Sequence, residues 1–317
     1  MKYSYCGLSG LQLPIISLGL WHNFGNNDNF DEAKKMIHFA FENGVTHFDL
    51  ANNYGPPPGS AETNFGKILK DNLASHRDEM IISSKAGYLM WPGPYGDGSS
   101  RKNLMASIDQ SLKRTGLEYF DIFYSHRYDG VTPVEETMQA LVDIVKQGKA
   151  LYIGISNYPP AEARQAMIYL REQHVPCLIF QGKYSMLHRE PEEGIFDVVE
   201  KEGSGFIGFS PLAQGILSDK YLNGIPPESR AANPDGFLQK EQITKEIVSI
   251  VRQLNLIAEE RNQSLAQMAL AWALRKDVVT SLIVGTRSMK QLQDNLKTID
   301  NLSFSDDELK KIEQVLS

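Results

Sequence analysis

The sequence predicts a (β/α)8 barrel with an N-terminal β-hairpin and extra C-terminal helices, and three observations carry that reading. From Ile15 onward, short β-rich apolar runs alternate with stretches of helical periodicity, the pattern that builds a parallel sheet from βαβ units. There are about eight such runs, the number a closed barrel of this type needs. A doubly wound sheet, the main competitor, would carry a GxGxxG after its first strand, and none follows ISLGL here.

Taken in order, Tyr3 to Leu13 reads as a hairpin around Gly7 to Gly10, suited to plug the bottom of a barrel. The strands that follow are ISLGL, VTHFDLA, MIISSKA, FDIFYSH, ALYIGIS, CLIFQGKYS, FIGFSPL and SLIVG. Between them helices are expected over Asp31 to Asn43, Ser60 to Asn72, Lys102 to Thr115, Pro133 to Gln147, Pro160 to His174 and Pro191 to Glu202. Ile243 to Lys276 is long enough for two more, and Asp306 to Leu316 reads as a last amphipathic helix. Asp31, Ser60 and Ser288 suit N-caps, while Gly44, Gly116, Gly148 and Gly203 stand where helices end on a glycine. No Ser/Pro-rich linker or composition break divides the chain, so residues 1–317 are expected to form one domain.

Composition narrows the function. The chain has 317 residues, 42% of them hydrophobic and 22% charged, which sets aside disordered, collagenous and coiled-coil proteins. A net charge of -7 argues against a broad surface for nucleic acid or anionic lipid and leaves room only for a local basic pocket. MKYSYCGLSG lacks the apolar core of a signal peptide, and no apolar run approaches the roughly 18 residues needed to span a bilayer. The expected setting is therefore cytoplasmic, with no membrane partner. Cys6 and Cys177 stand apart from any CxxC or Cys/His cluster and read as buried hydrophobes. The seven histidines show no paired spacing, so no metal is expected.

Chemistry in such a barrel gathers where the strands end. Three successive runs end on ionisable residues: VTHFDL on Asp49, IISSK on Lys85 and FDIFYSH on His126. Singly, a strand-terminal Asp also serves as a cap, a Lys is usually solvated, and a His is more often structural. On successive parallel strands they become neighbours around one mouth, and Tyr54 leaves the same strand end as Asp49. A free phenol titrates near pH 10, too high for efficient proton donation at neutral pH. A nearby ammonium is expected to lower that value by about 1 to 3 units, with Asp49 holding Lys85 charged and His126 bonding the substrate oxygen. The set fits protonation of an oxygen while something else adds to a carbonyl carbon.

At these residues the sequence resembles the aldo-keto reductases, a (β/α)8 family that reduces carbonyls with NADPH through an Asp, Tyr, Lys, His tetrad. The resemblance covers essentially the whole chain and implies Tyr54 as general acid, Lys85 and Asp49 as its tuning pair, and His126 as the orienting group. It implies further cofactor contacts: Leu20, Trp21 and Asp49, Ser156 and Asn157 of GISN, and Gln181 of FQGKYS. GFSPLAQGIL adds Phe209, stacked on the nicotinamide, with Ser210, Pro211, Leu212 and Gln214 along the pyrophosphate. VGTRSMKQLQDN resembles the adenosine end, with Gly285, Arg287, Gln291, Asp294 and Asn295, and SDKYLNGIPPESR adds Lys220 and Arg230. Independently of the family, a loop opening a helix N-terminus beside an arginine suits a phosphate. Three candidate cations favour NADPH over NADH.

The loops narrow the resemblance to the bacterial L-glyceraldehyde 3-phosphate reductase subgroup, which also reduces methylglyoxal, and relate the chain more distantly to voltage-gated potassium channel β subunits. The implied partner is a small aldehyde, with a homo-oligomer as a further expectation. Trp21, His22, Tyr88, Trp91 and Arg127 are expected near the substrate. GISNYPP departs from the usual pattern, in which Ser is commoner than Asn157, and FQGKYSMLHR stands where QPSYN is usual. Two other readings stand beside reduction. One is an NADPH-binding redox-sensing regulatory module like the channel subunits, which have Asn where this chain has His126. The other is a lyase or aldolase using Lys85 as a Schiff base, which gives Tyr54, GISN and GTRS no purpose.

Overall fold

The computed structural model describes residues 1–233 and 236–317. An antiparallel hairpin, β1 (Tyr3–Tyr5) with β2 (Gln12–Pro14), precedes the barrel. The barrel strands are β3 (Ile16–Gly19), β4 (His47–Asp49), β5 (Ile81–Ala86), β6 (Phe120–Ser125), β7 (Ala150–Ser156), β8 (Cys177–Lys183), β9 (Gly205–Phe209) and β10 (Val279–Val284). They run parallel in sequence order, and β10 closes the ring by pairing with both β9 and β3. Each is one of the apolar runs read from the sequence.

The hairpin plugs one end of this barrel. Cys6 and Leu13 are fully buried against Ile122, Tyr124, Ile179, Ile207 and Ile283. Leu8 N–H donates to Gly203 O at 2.9 Å, tying the hairpin turn to the loop before β9. Chemistry is thereby confined to the opposite end, where strands finish. Both cysteines are free and buried, and burial pushes each thiol up to about 12. They remain neutral packing groups.

The outer helices are α1 (Phe30–Glu42), α2 (Ser60–Ile68), α3 (Arg101–Thr115), α4 (Val134–Lys146), α5 (Pro160–Glu172), α6 (Ile195–Lys201), α7 (Lys245–Glu260), α8 (Leu265–Ala273), α9 (Met289–Leu296) and α10 (Asp306–Leu316). The face-in, face-out pattern that predicted them is visible in α4, which buries Met138 and Leu141 and turns Glu135 and Glu136 outward. Among the described residues no helix is long and apolar enough to cross a membrane.

Several boundaries differ from expectation. Asn29, not Asp31, caps α1 by accepting from Glu32 N–H, because it stands one residue ahead of the first helical turn. Gly59 occupies the N-cap of α2 in the left-handed region, so Ser60 is already helical. The helix expected to run from Pro191 breaks at Gly194, whose φ of 127° suits glycine alone, leaving a 3₁₀ turn at Glu190–Glu192 ahead of α6. Ser288 caps α9 as expected, accepting from Gln291 N–H.

Candidate active site

Strand register brings the tetrad together. Asp49 ends β4 opposite Ser83, and Lys85 stands two residues further along β5. The Lys85 ammonium donates to Asp49 Oδ2 at 2.5 Å and to Leu50 O at 2.7 Å, and neither charged side chain is more than 2% exposed. The other carboxylate oxygen, Oδ1, accepts from Ser83 at 2.9 Å and from Gln181 at 3.1 Å. A buried carboxylate without such donors would be costly, and here both oxygens are served.

Tyr54 follows from the loop after β4, with the Lys85 ammonium 5.1 Å from its ring centroid. The expected depression of its pKa is not what the structure shows: burial, followed by the Asp49 carboxylate and Tyr88, raises it well above the usual phenol value. Asp49, bound to the ammonium at 2.5 Å, opposes Lys85 at the phenol and adds to the effect of burial. Tyr54 therefore stays protonated through the neutral range. His126 stands with its ring centroid 6.0 Å from that of Tyr54, and Tyr88 meets the same imidazole edge-on at 4.6 Å. Burial, then Lys85 and Arg127, hold the imidazole pKa well below 6.5, so His126 is neutral. A protonated phenol and a neutral imidazole beside a buried ion pair form a donor set for one oxygen.

The phenol, the imidazole and the Asp49 carboxylate line a cavity of about 990 Å³. Trp21, His22, Tyr54, Tyr88 and His126 stand on its walls with Asn157, Gln181 and Phe209, and so do Ser210, Pro211, Leu212 and Gln214. Lys220, Arg230, Gly285, Arg287, Gln291, Asp294 and Asn295 complete the expected residues that line it. Asn157, Ser210 and Gln214 hold left-handed φ values of 54°, 52° and 59°. Non-glycine residues accept such strain where surroundings fix them, as Asn157 is fixed by donating to His126 O at 3.2 Å. Lys220, Arg230 and Arg287 press on one another: burial first, then its cationic neighbours, lowers Lys220, and burial with Arg287 lowers Arg230.

The match to known proteins agrees with this geometry. The aldo/keto reductase family model matches residues 15–317. The chain belongs to the aldo/keto reductase family. It is 53% identical over 318 residues to L-glyceraldehyde 3-phosphate reductase of Escherichia coli K12, covering 99% of this chain and 92% of that one. It is also 34% identical to a probable voltage-gated potassium channel subunit beta of Arabidopsis thaliana, over 100% of this chain and 97% of the other. As an aldo/keto reductase the protein is an oxidoreductase, and the family generally uses NAD(P)H.

The donor chemistry suits such a cofactor. Lys220, Arg230 and Arg287 line the same cavity and suit a polyanion, Asn157 and Gln181 offer amides, and His126 Nδ1 is buried without a partner among the described residues. Other expected residues fall outside the lining. Leu20 is buried and donates its N–H to Asp49 O, Ser156 is fully buried behind Asn157, and Lys85 acts from beneath the surface. Trp91 and Arg127 are not among the lining residues: Arg127 donates to Gly87 O and Asp97, and its guanidinium lies 4.9 Å over Tyr88. It fastens the loop after β5, and that packing role was not legible from its place beside His126.

Phe237 and His47 were missed by sequence reasoning. Phe237 packs on Trp21 with ring centroids 4.7 Å apart and planes tilted by 53°, from a segment without strand or long-helix pattern. His47 had a signal: it stands two residues before Asp49, hence on the same inward face of β4. Burial holds it down to about 4, whereas an unfolded histidine titrates near 6.5. The unfolded chain takes up that proton first as pH falls, so this contribution to stability is whole above 6.5 and lost toward 4. It amounts to about 3 kcal/mol. Urea unfolding at both ends of this window should show a smaller acid loss in His47→Gln than in wild type.

Proposed function

We propose that the protein is an NADPH-dependent aldehyde reductase acting on small aldehydes of the L-glyceraldehyde 3-phosphate and methylglyoxal type. The observation that carries the reading is the protonated Tyr54 beside neutral His126 on a cavity that also holds Lys220, Arg230 and Arg287. The Escherichia coli relative, named for reducing L-glyceraldehyde 3-phosphate, supports the substrate class.

When bound, NADPH supplies hydride to the carbonyl carbon. Tyr54 gives its proton to the carbonyl oxygen, and His126 donates a hydrogen bond to the same oxygen and orients it. Lys85, held by Asp49, offsets the charge that the phenol oxygen acquires. Asn157 and Gln181 would hold the nicotinamide amide, Phe209 would pack on the ring, and Lys220, Arg230 and Arg287 would hold the phosphates.

The direct test is loss of the near-ultraviolet absorbance of NADPH on mixing with glyceraldehyde 3-phosphate or methylglyoxal. Turnover is expected with both. Arg287→Ala should raise KM for NADPH about tenfold and leave KM for NADH unchanged, as loss of a charge-assisted phosphate contact would. Equal effects on the two cofactors would remove Arg287 from the discriminating contact. The plant relative, named as a probable channel subunit, supports a second reading, a regulatory module, which here would carry NADPH in the same cavity. Tight binding with no turnover on any aldehyde would select it.

A further inference from the structure

We infer that His47 is a positioning residue for the proton-donating group: its Nε2–H donates to Ser83, which obliges Ser83 to give its only hydroxyl proton to Asp49. The inference rests on the reductase reading for its kinetic consequence but not for its structural one.

A buried chain of contacts crosses the barrel from the plugged end to the active site. Ser281 Oγ lies 2.6 Å from Pro14 O and 2.7 Å from Ser17 Oγ, and Ser17 Oγ lies 2.9 Å from His47 Nδ1. His47 Nε2 is 3.0 Å from Ser83 Oγ, which is 2.9 Å from Asp49 Oδ1. Ser17, His47, Ser83 and Ser281 are wholly inaccessible to solvent.

Both ends of this chain, a backbone carbonyl and a carboxylate, only accept. Three serines bring one hydrogen each and a neutral imidazole brings one, four hydrogens for five contacts. One contact must go without. If His47 carries its proton on Nδ1, the shortage falls beside Ser83, whose single hydrogen is then claimed by both the imidazole lone pair and the Asp49 carboxylate. If the proton is on Nε2, the imidazole and Ser83 both donate toward Asp49, Ser17 donates back to Nδ1, and the shortage moves to Ser281 at the far end. In the first form the carboxylate takes the Ser83 hydrogen and the buried Nε2 keeps no partner, whereas in the second Ser281 still donates to Pro14 O and Ser17 to Nδ1, so no group is left unpaired and the shortage settles at the far end. His47 is thereby fixed as the Nε2–H form.

Titratable groups around the Asp49 and Lys85 pair are Tyr54 from the loop after β4, Tyr124 and His126 from β6 and its end, and Glu62 from α2. The imidazole nitrogens themselves contact the hydroxyls of Ser17 on β3 and Ser83 on β5. His47 therefore reaches the active site through Ser83.

Nitrogen-15 NMR of the intact protein, with His47→Phe to assign the signal, should show a protonated Nε2 and a bare Nδ1. A proton on Nδ1 overturns the inference. In kinetics, Ser83→Ala should lower kcat by about fivefold with KM unchanged, because Asp49 loses one of the donors that hold it. His47→Phe should lower it by less, and the double variant should match Ser83→Ala alone. A His47→Phe effect that persists undiminished in the Ser83→Ala background means that His47 does not act through Ser83. Should no aldehyde be turned over by wild type, the reductase reading fails while the NMR result still decides the tautomer.

Discussion

Tyr54→Phe is expected to lower kcat for aldehyde reduction by about a thousandfold, the middle of the range for removing a general acid, with NADPH affinity unchanged. The ring that packs between Trp21 and His126 remains, at centroid distances of 6.2 and 6.0 Å, so the cavity keeps its shape. Only the oxygen that carries the proton is lost. The contrast between kcat and cofactor binding is the diagnostic, read by steady-state kinetics and by quenching of protein fluorescence on NADPH titration. Residual turnover close to wild type would mean that His126 or water supplies the proton, and Tyr54 would lose its role.

Lys85→Met should be the most damaging change to stability, costing about 3 to 5 kcal/mol, because it leaves the Asp49 carboxylate charged and uncompensated at 1% exposure. Methionine fills the space of the lysine stem but brings no donor, so Asp49 Oδ2 and Leu50 O lose their partner together. Adding Asp49→Asn should recover much of the stability and none of the activity, since an amide no longer needs the cation and Tyr54 still lacks it. Urea midpoints for the two singles and the double measure the coupling. Additive costs would contradict a buried pair that stabilises as a unit.

The barrel was legible because each inner strand is an apolar run, as a parallel sheet covered on both faces requires, and the intervening segments carry a helical period. The tetrad was legible because three successive runs end on Asp49, Lys85 and His126. Cap positions were less so: Asn29 and Asp31 are both good caps in isolation, and the choice depends on where the first turn starts.

Two matters were decided by tertiary structure alone. One is the protonation of Tyr54. Sequence placed an ammonium nearby and implied a lowered pKa, but burial dominates at the phenol, and the Asp49 carboxylate, 2.5 Å from the ammonium, adds to it. The other is the company of His47, whose ring meets Ser17 from β3 and Ser83 from β5, two strands far away in the chain. The order of residues along the chain determined which strand ends carry charge. Distances across the closed barrel determined which charges cancel and which protons are held, because electrostatic and hydrogen-bond energies depend on separation and burial, and neither exists until the strands are laid side by side.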